Sequence, residues 1–265
     1  MTSPSVVPVP SEAPNALFEF LLRLGDDRLV LGHRLSEWCG HGPILEEDIA
    51  ISNVALDLLG QATMFLRLAG EVEGKSRDED ALAYFREVVE FRNALLVELP
   101  KGDFAFTIAR QFLFDVYAVV LLDALSRSTN SDVAAIATKS LKEAKYHVRH
   151  SGEWMLKLGD GTDESHRRVQ KAVDDLWRFT PELFAADDVD RAMLASGVAP
   201  DLDALQAQWE SLVRDVIDRA TLTLPHDVAR AANARGGRTG AHTEHLGHML
   251  AEMQIIARSH PGAKW

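Results

Sequence analysis

From residue 15 onward, apolar residues recur at the three- and four-residue spacing of α-helices almost without interruption. No stretch alternates Val, Ile or Thr with polar residues between turn signals, as a half-buried strand does. Proline is concentrated before residue 15, and only Pro43 falls between there and Pro100. The sequence therefore predicts an all-α protein, with a flexible N-terminal tail over 1–14 and a single helical domain over 15–265.

Helix start and stop signals divide this domain into eight predicted helices. Pro43, followed by three acidic residues, is typical of a first helical turn, and Asp103 and Asn130 are typical N-caps. Gly159 is a typical helix stop. The predicted helices are 15–38, 44–69, 79–99, 103–128 and 131–158, followed by 163–185, 201–220 and 242–258.

The short loops in this series predict the topology. About five residues join the first two helices and two or three join 103–128 to 131–158, so each pair is expected to form an antiparallel hairpin. Helix 79–99 then provides a long crossover between the hairpins. Two hairpins joined in this way form a ferritin-like four-helix bundle, here with additional C-terminal helices.

Composition excludes several classes of function. The chain has 28 basic and 40 acidic residues, a net charge of −12, which disfavours nucleic acid as a partner. Cys39 is the only cysteine, so an internal disulfide and a multi-cysteine metal site are excluded. We expect no apolar run long enough to cross a bilayer, and no nucleotide-binding loop or serine-hydrolase motif is present. We expect a cytoplasmic protein without a membrane partner.

Acidic residues within the predicted bundle are its most informative polar feature. Asp57 lies in helix 44–69, which is apolar on nearly all sides, so we expect it to be enclosed and paired. Counting from each tight turn at about 1.5 Å per residue places Asp26, Asp57, Asp115 and Glu143 near one level of the bundle. Four helices thus each offer a carboxylate at this level.

The spacing around these carboxylates resembles a di-metal site that lacks its histidines. A ferritin-like di-iron site takes Glu from two helices and Glu-x-x-His from the other two. Here Gly60 and Tyr146 stand three residues after Asp57 and Glu143, at the histidine positions. His147 is displaced by one residue, about 100° around the helix. We expect no metal and no catalytic or cofactor-binding residue in this chain; an atypical carboxylate-rich metal site is the alternative.

A second histidine cluster follows a glycine-containing loop near the C-terminus. His242, His245 and His248 recur every three residues, with Glu244 and Glu252 each four residues from His248, as in a surface metal site on one helix. A capped helix start explains the segment equally well. We favour the structural interpretation here, as for His147 and His150.

Two further groups have weaker chemical interpretations. Arg230, Arg235 and Arg238 could contact an anionic ligand such as an acyl-CoA, but a solvated loop is the favoured interpretation. Cys39 with His41 could form a Cys/His nucleophile, although such pairs occur often by chance.

Long segments of the chain resemble the C-subunit family of bacterial phenylacetyl-CoA epoxidase, a multicomponent oxygenase. The likeness extends from about residue 20 to the C-terminus. It is carried by RLGDDRLVLGHRLSEWCGHGPILEEDIAISNVALDLLGQA (23–62), GDFAFTIARQF (102–112), KEAKYHVRHSGEWMLKLGDGT (142–162), LWRFTPELF (176–184) and HTEHLGHMLAEMQ (242–254).

This resemblance implies a structural subunit that pairs with a homologous A subunit. In the family, the A subunit holds the di-iron centre and the CoA substrate, a B subunit bridges the assembly, and a reductase supplies electrons from NADPH. The complex converts phenylacetyl-CoA to its 1,2-epoxide in aerobic phenylacetate degradation. The C subunit is regarded as lacking a functional metal site, so the family's catalytic residues have no counterparts here.

An obligate partner also requires an apolar face on this chain, with about 2,000 Å² or more buried in the pair. Helices 15–38 and 44–69 are the predicted location, because the second lacks a clearly polar face. Trp38 is the predicted aromatic anchor. Without its partner, the chain is expected to self-associate through this surface.

Overall fold

The computed structural model describes residues 16–225 and 234–263, and in this part of the chain all regular elements are helical. The predicted tail over 1–14 lies outside the described residues, as does Arg230, and the single-domain boundary stays a prediction. The α-helices are α1 (Ala16–Ser36), α2 (Leu45–Glu73), α3 (Glu79–Tyr84), α4 (Leu95–Glu98), α5 (Phe104–Leu125), α6 (Ser131–Gly159), α7 (Asp163–Trp177), α8 (Asp188–Ala195), α9 (Leu202–Arg219) and α10 (Glu244–Ser259).

Helices α1, α2, α5 and α6 form the predicted ferritin-like bundle. The short connections 37–44 and 126–130 fold α1 onto α2 and α5 onto α6, and these two pairs make the most extensive helix contacts. Helix α5 is the most enclosed of the four, with α7 and α9 packed on its outer side. Trp209 of α9 donates its indole N–H to the Leu113 carbonyl at 2.9 Å. The predicted all-α, ferritin-like fold is therefore confirmed.

Side-chain caps explain why several helices begin where the sequence predicts. Asp103 accepts from the Phe106 amide at 2.9 Å, and Asn130 accepts from the Asp132 and Val133 amides. Such bonds satisfy amide groups that have no partner inside the first helical turn. The starts of α5 and α6 are therefore fixed by local chemistry.

The predicted crossover helix over 79–99 is wrong. The segment contains α3, a 3₁₀ turn at Val88–Glu90 and the single turn of α4, separated by extended residues. The extended backbone brings the Arg92 and Ala94 amides to carboxylates of α1, each at 2.8 Å. These long-range hydrogen bonds replace helical ones, so the segment runs along α1 in short pieces instead of forming one continuous helix.

The region after Gly159 also differs from the prediction. The predicted helix 163–185 ends at Trp177, and a 3₁₀ turn at Thr180–Phe184 carries Pro181 in its first turn. Helix α8, which was not predicted, begins with a capping box between Asp187 and Asp190. Its two aspartates pair with Arg23 of α1.

Within residues 16–225 and 234–263, two helices, α2 and α5, are long and apolar enough to cross a membrane by length and composition alone. This corrects the expectation that no such segment exists. Helix α5 is a core helix, since 89 % of its most apolar stretch is buried. In α2 only 44 % of the corresponding stretch is buried. Helix α2 therefore presents apolar residues that the described fold does not cover.

Candidate functional site

A chain of polar side chains crosses the bundle from α1 to α6. Arg28 of α1 donates from Nε to Gln61 Oε1 of α2 at 2.9 Å, and Gln61 Nε2 donates to Glu143 Oε2 of α6 at 2.9 Å. Arg28 also bonds the Leu24 carbonyl and lies 5.0 Å from the centre of the Phe65 ring. Both Arg28 and Gln61 are 1 % exposed. The centre of the bundle thus contains a guanidinium group.

Burial lowers the pKa of Arg28 to about 10, with Asp27 opposing the change. The group therefore remains protonated at neutral pH. Its Nη2 atom is buried without a hydrogen-bond partner among the described residues. The direct contacts of this buried positive charge are an amide, a carbonyl and an aromatic group.

A second polar group joins α2, α5 and α6. His147 donates from Nε2 to Asp57 Oδ2 at 3.0 Å. Asp115 accepts from Gln111 Nε2 at 2.6 Å and from the Ser151 hydroxyl at 2.8 Å. Burial raises the pKa of Asp115 to about 6, although nearby His147 and these two hydrogen bonds oppose the increase. Asp115 is therefore held in an environment that favours its neutral form.

The predicted ligand triplets do not face the bundle centre. A Cβ atom added to Gly60 would have nothing within 4 Å, and Tyr146 is 47 % exposed. The Asp57 side chain is 39 % exposed, so the expectation that it is enclosed is wrong. Histidines at positions 60 and 146 would point outward.

The inward-facing positions lie one residue later on both helices. In α2 the buried pair at three-residue spacing is Leu58 and Gln61, and in α6 it is Ala144 and His147. Leucine and alanine thus stand where a metal-binding bundle has carboxylates, and Gln61 stands at one histidine position. His147 is the one side chain of the four with a typical metal-ligand group.

Asp26 lies outside this polar network, although the sequence predicts it at the same level of the bundle as the other three carboxylates. It is fully buried and forms an ion pair with Arg86, whose Nη1 lies 3.0 Å from Oδ2. Its neighbour in α1, Asp27, forms an ion pair with Arg238 at 2.8 Å. Sequence reasoning overlooked these pairs, because each joins residues that are far apart in the chain. They are structural contacts that attach α1 to the crossover and to the loop before α10.

These residues do not fit a di-metal centre. Arg28 places a buried cation where the metal-binding bundles have ligands, and a guanidinium has no lone pair to donate. Across residues 16–225 and 234–263, no three His, Cys, Asp or Glu side chains converge as a metal-binding group. Asp57 and Glu143 lie between α2 and α6, whereas the two oxygens of Asp115 accept hydrogen bonds from Gln111 and Ser151.

The C-terminal histidines do not share one helical face, because α10 begins only at Glu244. His242 lies before the helix, with Nδ1 2.7 Å from Glu98 and Nε2 3.1 Å from the Phe91 carbonyl. The i, i+3, i+6 pattern therefore has no structural basis. Arg238 of the same loop, for which a solvated position was the favoured interpretation, instead forms an ion pair with Asp27, so that interpretation is wrong for this residue.

The Cys/His nucleophile, a disfavoured alternative from the sequence, also lacks the required geometry. His41 Nδ1 lies 3.1 Å from the Cys39 carbonyl, so the ring bonds the backbone of Cys39. Trp38, the predicted interface anchor, is 8 % exposed and donates to Thr107 Oγ1 at 3.0 Å. Its side chain therefore belongs to the core.

Comparison with known proteins identifies relatives over almost the whole chain. The family model for "Phenylacetic acid catabolic protein" matches residues 5–265. A curated relative, the C subunit of 1,2-phenylacetyl-CoA epoxidase from Escherichia coli (strain K12), is 50 % identical over 251 residues. The alignment covers 95 % of this chain and 100 % of the relative. The resemblance found in the sequence is confirmed, and the chain belongs to the phenylacetic acid catabolic protein family.

Proposed function

We propose that this chain is the C subunit of a phenylacetyl-CoA epoxidase in phenylacetate degradation. In this proposal it is a non-catalytic structural subunit that stabilises a homologous A subunit, which holds the di-iron centre and the CoA substrate. A B subunit and an NADPH-dependent reductase complete the assembly. The 50 % identity to the C subunit of such an epoxidase supports the assignment to this complex.

The observation that carries the non-catalytic role is the Arg28–Gln61–Glu143 chain of hydrogen bonds, in which Arg28 and Gln61 are buried. A cation held by the protein itself disfavours two further metal cations at the same place, since like charges in a low-dielectric interior repel. The neighbouring inward positions, Leu58 and Ala144, have no donor atoms. A rigid bundle of this kind is suited to supporting the positioned groups of a catalytic neighbour.

Metal analysis tests this role. After anaerobic incubation with ferrous iron and desalting, we expect this chain to retain far less than one iron per molecule and to show no oxygen-dependent turnover alone. The A subunit, treated in parallel, is the positive control. Two tightly held irons in this chain, with turnover, would refute the proposal.

The alternative function is an active metalloenzyme with a site formed by Asp57, Asp115, Glu143 and Tyr146. It predicts that Glu143→Gln abolishes chemistry in a folded protein. In our proposal the same variant, assayed in the reconstituted complex at saturating partner, retains turnover within about twofold of wild type. Asp57→Asn should behave in the same way, because neither carboxylate touches the reacting atoms.

An acyl-CoA-binding module is a third possibility, based on the arginine-containing loop before α10. Arg238 of this loop already pairs with Asp27 and is not free to bind a phosphate. We therefore expect calorimetry of this subunit alone with phenylacetyl-CoA to show no binding heat.

A further inference from the structure

A cleft of about 480 Å³ lies between α3 and the last two turns of α10. Tyr84 and Phe85, at the end of α3, line one side of it, and Met253 and Ile256 of α10 line the other. Phe85 is 47 % exposed and Ile256 is 58 % exposed. Such side chains stabilise a structure when they leave water, in proportion to the apolar area buried. The α3–α10 cleft is therefore an apolar site that residues 16–225 and 234–263 leave open.

Hydrogen bonds beside the α3–α10 cleft hold its two sides together. Gln254 Nε2 donates to the carbonyl groups of Ala83 and Arg86 at 3.0 and 3.2 Å. Arg258 donates from Nε to the Tyr84 carbonyl at 3.1 Å and from Nη2 to the Arg86 carbonyl at 2.8 Å. An occupant of the cleft therefore meets walls that are already positioned, which reduces the entropy lost on docking.

The rim of the cleft is acidic. Asp78, which caps α3 by accepting from the Ala81 amide at 2.8 Å, lines the cleft together with Asp80. Burial and the neighbouring charges of Asp78 and Glu79 raise the pKa of Asp80. In the described part of the chain, the Asp80 carboxylate forms no hydrogen bond or ion pair. A positively charged group at this rim would therefore be stabilised.

The chain itself returns to this cleft after α10. Gly262 has a φ of +80°, in the left-handed region, and the Ala263 amide donates to the His260 carbonyl at 3.1 Å, which closes a turn. Gly262 and Ala263 both line the cleft. Lys264 and Trp265 follow, outside the described residues. Because two residues span at most about 7 Å, Trp265 is within reach of the cleft from Ala263.

We propose that Trp265 of the same chain occupies the α3–α10 cleft, with its indole ring between Phe85 and Ile256 and with Lys264 at the acidic rim. The two residues match the cleft in sequence order and in chemistry. An indole covers a large apolar area and packs well against other aromatic rings. The occupant belongs to the same chain, so the assignment does not depend on the proposed function.

The size of the cleft distinguishes this occupant from others. Between Met253 and His260 the cleft runs about 10 Å along α10, or two helical turns. A stable contact between subunits buries about 800 Å² on each partner, so a two-turn cleft suits one large side chain better than a docked helix. Trp265 of a second copy would fit equally well, but a residue tethered two positions from the cleft has a far higher effective concentration.

Fluorine NMR of the full-length chain labelled with 5-fluorotryptophan tests the assignment. Trp265→Phe identifies the Trp265 resonance among those of the five tryptophans. We expect a soluble paramagnetic agent to broaden this resonance little, as with Trp209, which is 2 % exposed. Ile256→Glu should lower the ratio of docked to undocked indole at least about tenfold, because it places a charge in an apolar wall.

Ile255→Glu is the matched control for Ile256→Glu. Ile255 is 60 % exposed on the same helix, but it lines a separate cleft beside Val88. The Trp265 resonance should keep its protection in this variant. Circular dichroism of both variants should match wild type, since both isoleucines are exposed.

A charge reversal tests the rim. Lys264→Glu should lower the ratio of docked to undocked indole about threefold at low salt, and the loss should shrink as salt is raised. An unchanged ratio at low salt would place Lys264 away from Asp78 and Asp80 and would overturn that part of the assignment.

Three results would overturn the docking of Trp265. Broadening as strong as that of free 5-fluorotryptophan would show an undocked indole. Protection that persists in Ile256→Glu would place the indole at another site. Protection that is lost on dilution of the protein would assign the cleft to Trp265 of a second copy.

Discussion

Replacing Asp26 by Asn should lower the free energy of unfolding by about 3–5 kcal/mol, the largest stability effect we expect from a conservative change in this chain. The side chains of Asp26 and Arg86 are 0 % and 2 % exposed, and the two form a bidentate ion pair. Asn keeps the shape of Asp but removes the charge, so Arg86 would remain buried as an uncompensated cation. Urea unfolding at neutral pH measures the loss.

Two variants make this prediction specific. Asp123→Asn removes one half of the Arg127–Asp123 pair, whose side chains are 66 % and 51 % exposed, and should cost less than about 1 kcal/mol. Adding Arg86→Met to Asp26→Asn should recover part of the loss, because the unpaired charge is removed with its partner. Equal costs for Asp26→Asn and Asp123→Asn would contradict the prediction.

The same variant should also loosen the crossover locally. Asp26 accepts the Arg92 amide at 2.8 Å in addition to the Arg86 side chain, and the Arg86 guanidinium lies 4.2 Å from the centre of the Phe91 ring. Hydrogen exchange in 85–94 should therefore accelerate more than exchange in α5. A uniform change over the described chain would indicate that the ion pair acts only on global stability.

Asp26 also explains which part of the fold the sequence could predict. The hairpins depend on local signals, such as the Asp103 and Asn130 caps and the short loops between helices. The crossover depends on contacts between residues at least 60 positions apart. The apolar residues of the crossover have helical spacing, but its backbone amides form hydrogen bonds with α1 carboxylates when the segment is extended. No local sequence pattern encodes this competition between helical and long-range hydrogen bonds.

The candidate site shows a second limit of sequence reasoning. An amphipathic helix reveals its inward face by the contrast between polar and apolar positions. Helix α2 lacks that contrast, because Leu56 is exposed while Leu58 is buried. The triplet prediction was therefore wrong by one residue, about 100° of rotation, on this helix. His147, which the sequence placed off register, is the residue that faces inward.

Replacing Asp115 by Asn should make stability less sensitive to pH. The pKa of Asp115 is raised from an ordinary value of 3.8 to about 6, because burial disfavours the carboxylate. The folded state therefore binds the proton more tightly than the unfolded state. Wild-type stability should fall as pH rises from about 4 through about 6, by about 3 kcal/mol in total from this group.

Asn cannot ionise, so the difference in unfolding free energy between Asp115→Asn and wild type should rise by about 3 kcal/mol between about pH 4 and about pH 8. Loss of one acceptor oxygen shifts this difference by a constant amount. That shift is limited, because the Ser151 hydroxyl also reaches the His147 carbonyl at 3.0 Å and Gln111 can keep the remaining oxygen. The slope of this free-energy difference against pH, and not its value at one pH, therefore tests the prediction.

Urea unfolding at several pH values over this range gives that slope. Asp123→Asn, an exposed carboxylate change on the same helix, is the control and should follow the wild-type curve. Parallel curves for Asp115→Asn and wild type would show that Asp115 ionises as easily in the bundle as in water. The bundle would then tolerate a charged carboxylate beside His147 as readily as water does. A steep difference would instead show that α5 and α6 stabilise the neutral, hydrogen-bonded form of this acid up to about pH 6, well above the range of an ordinary aspartate.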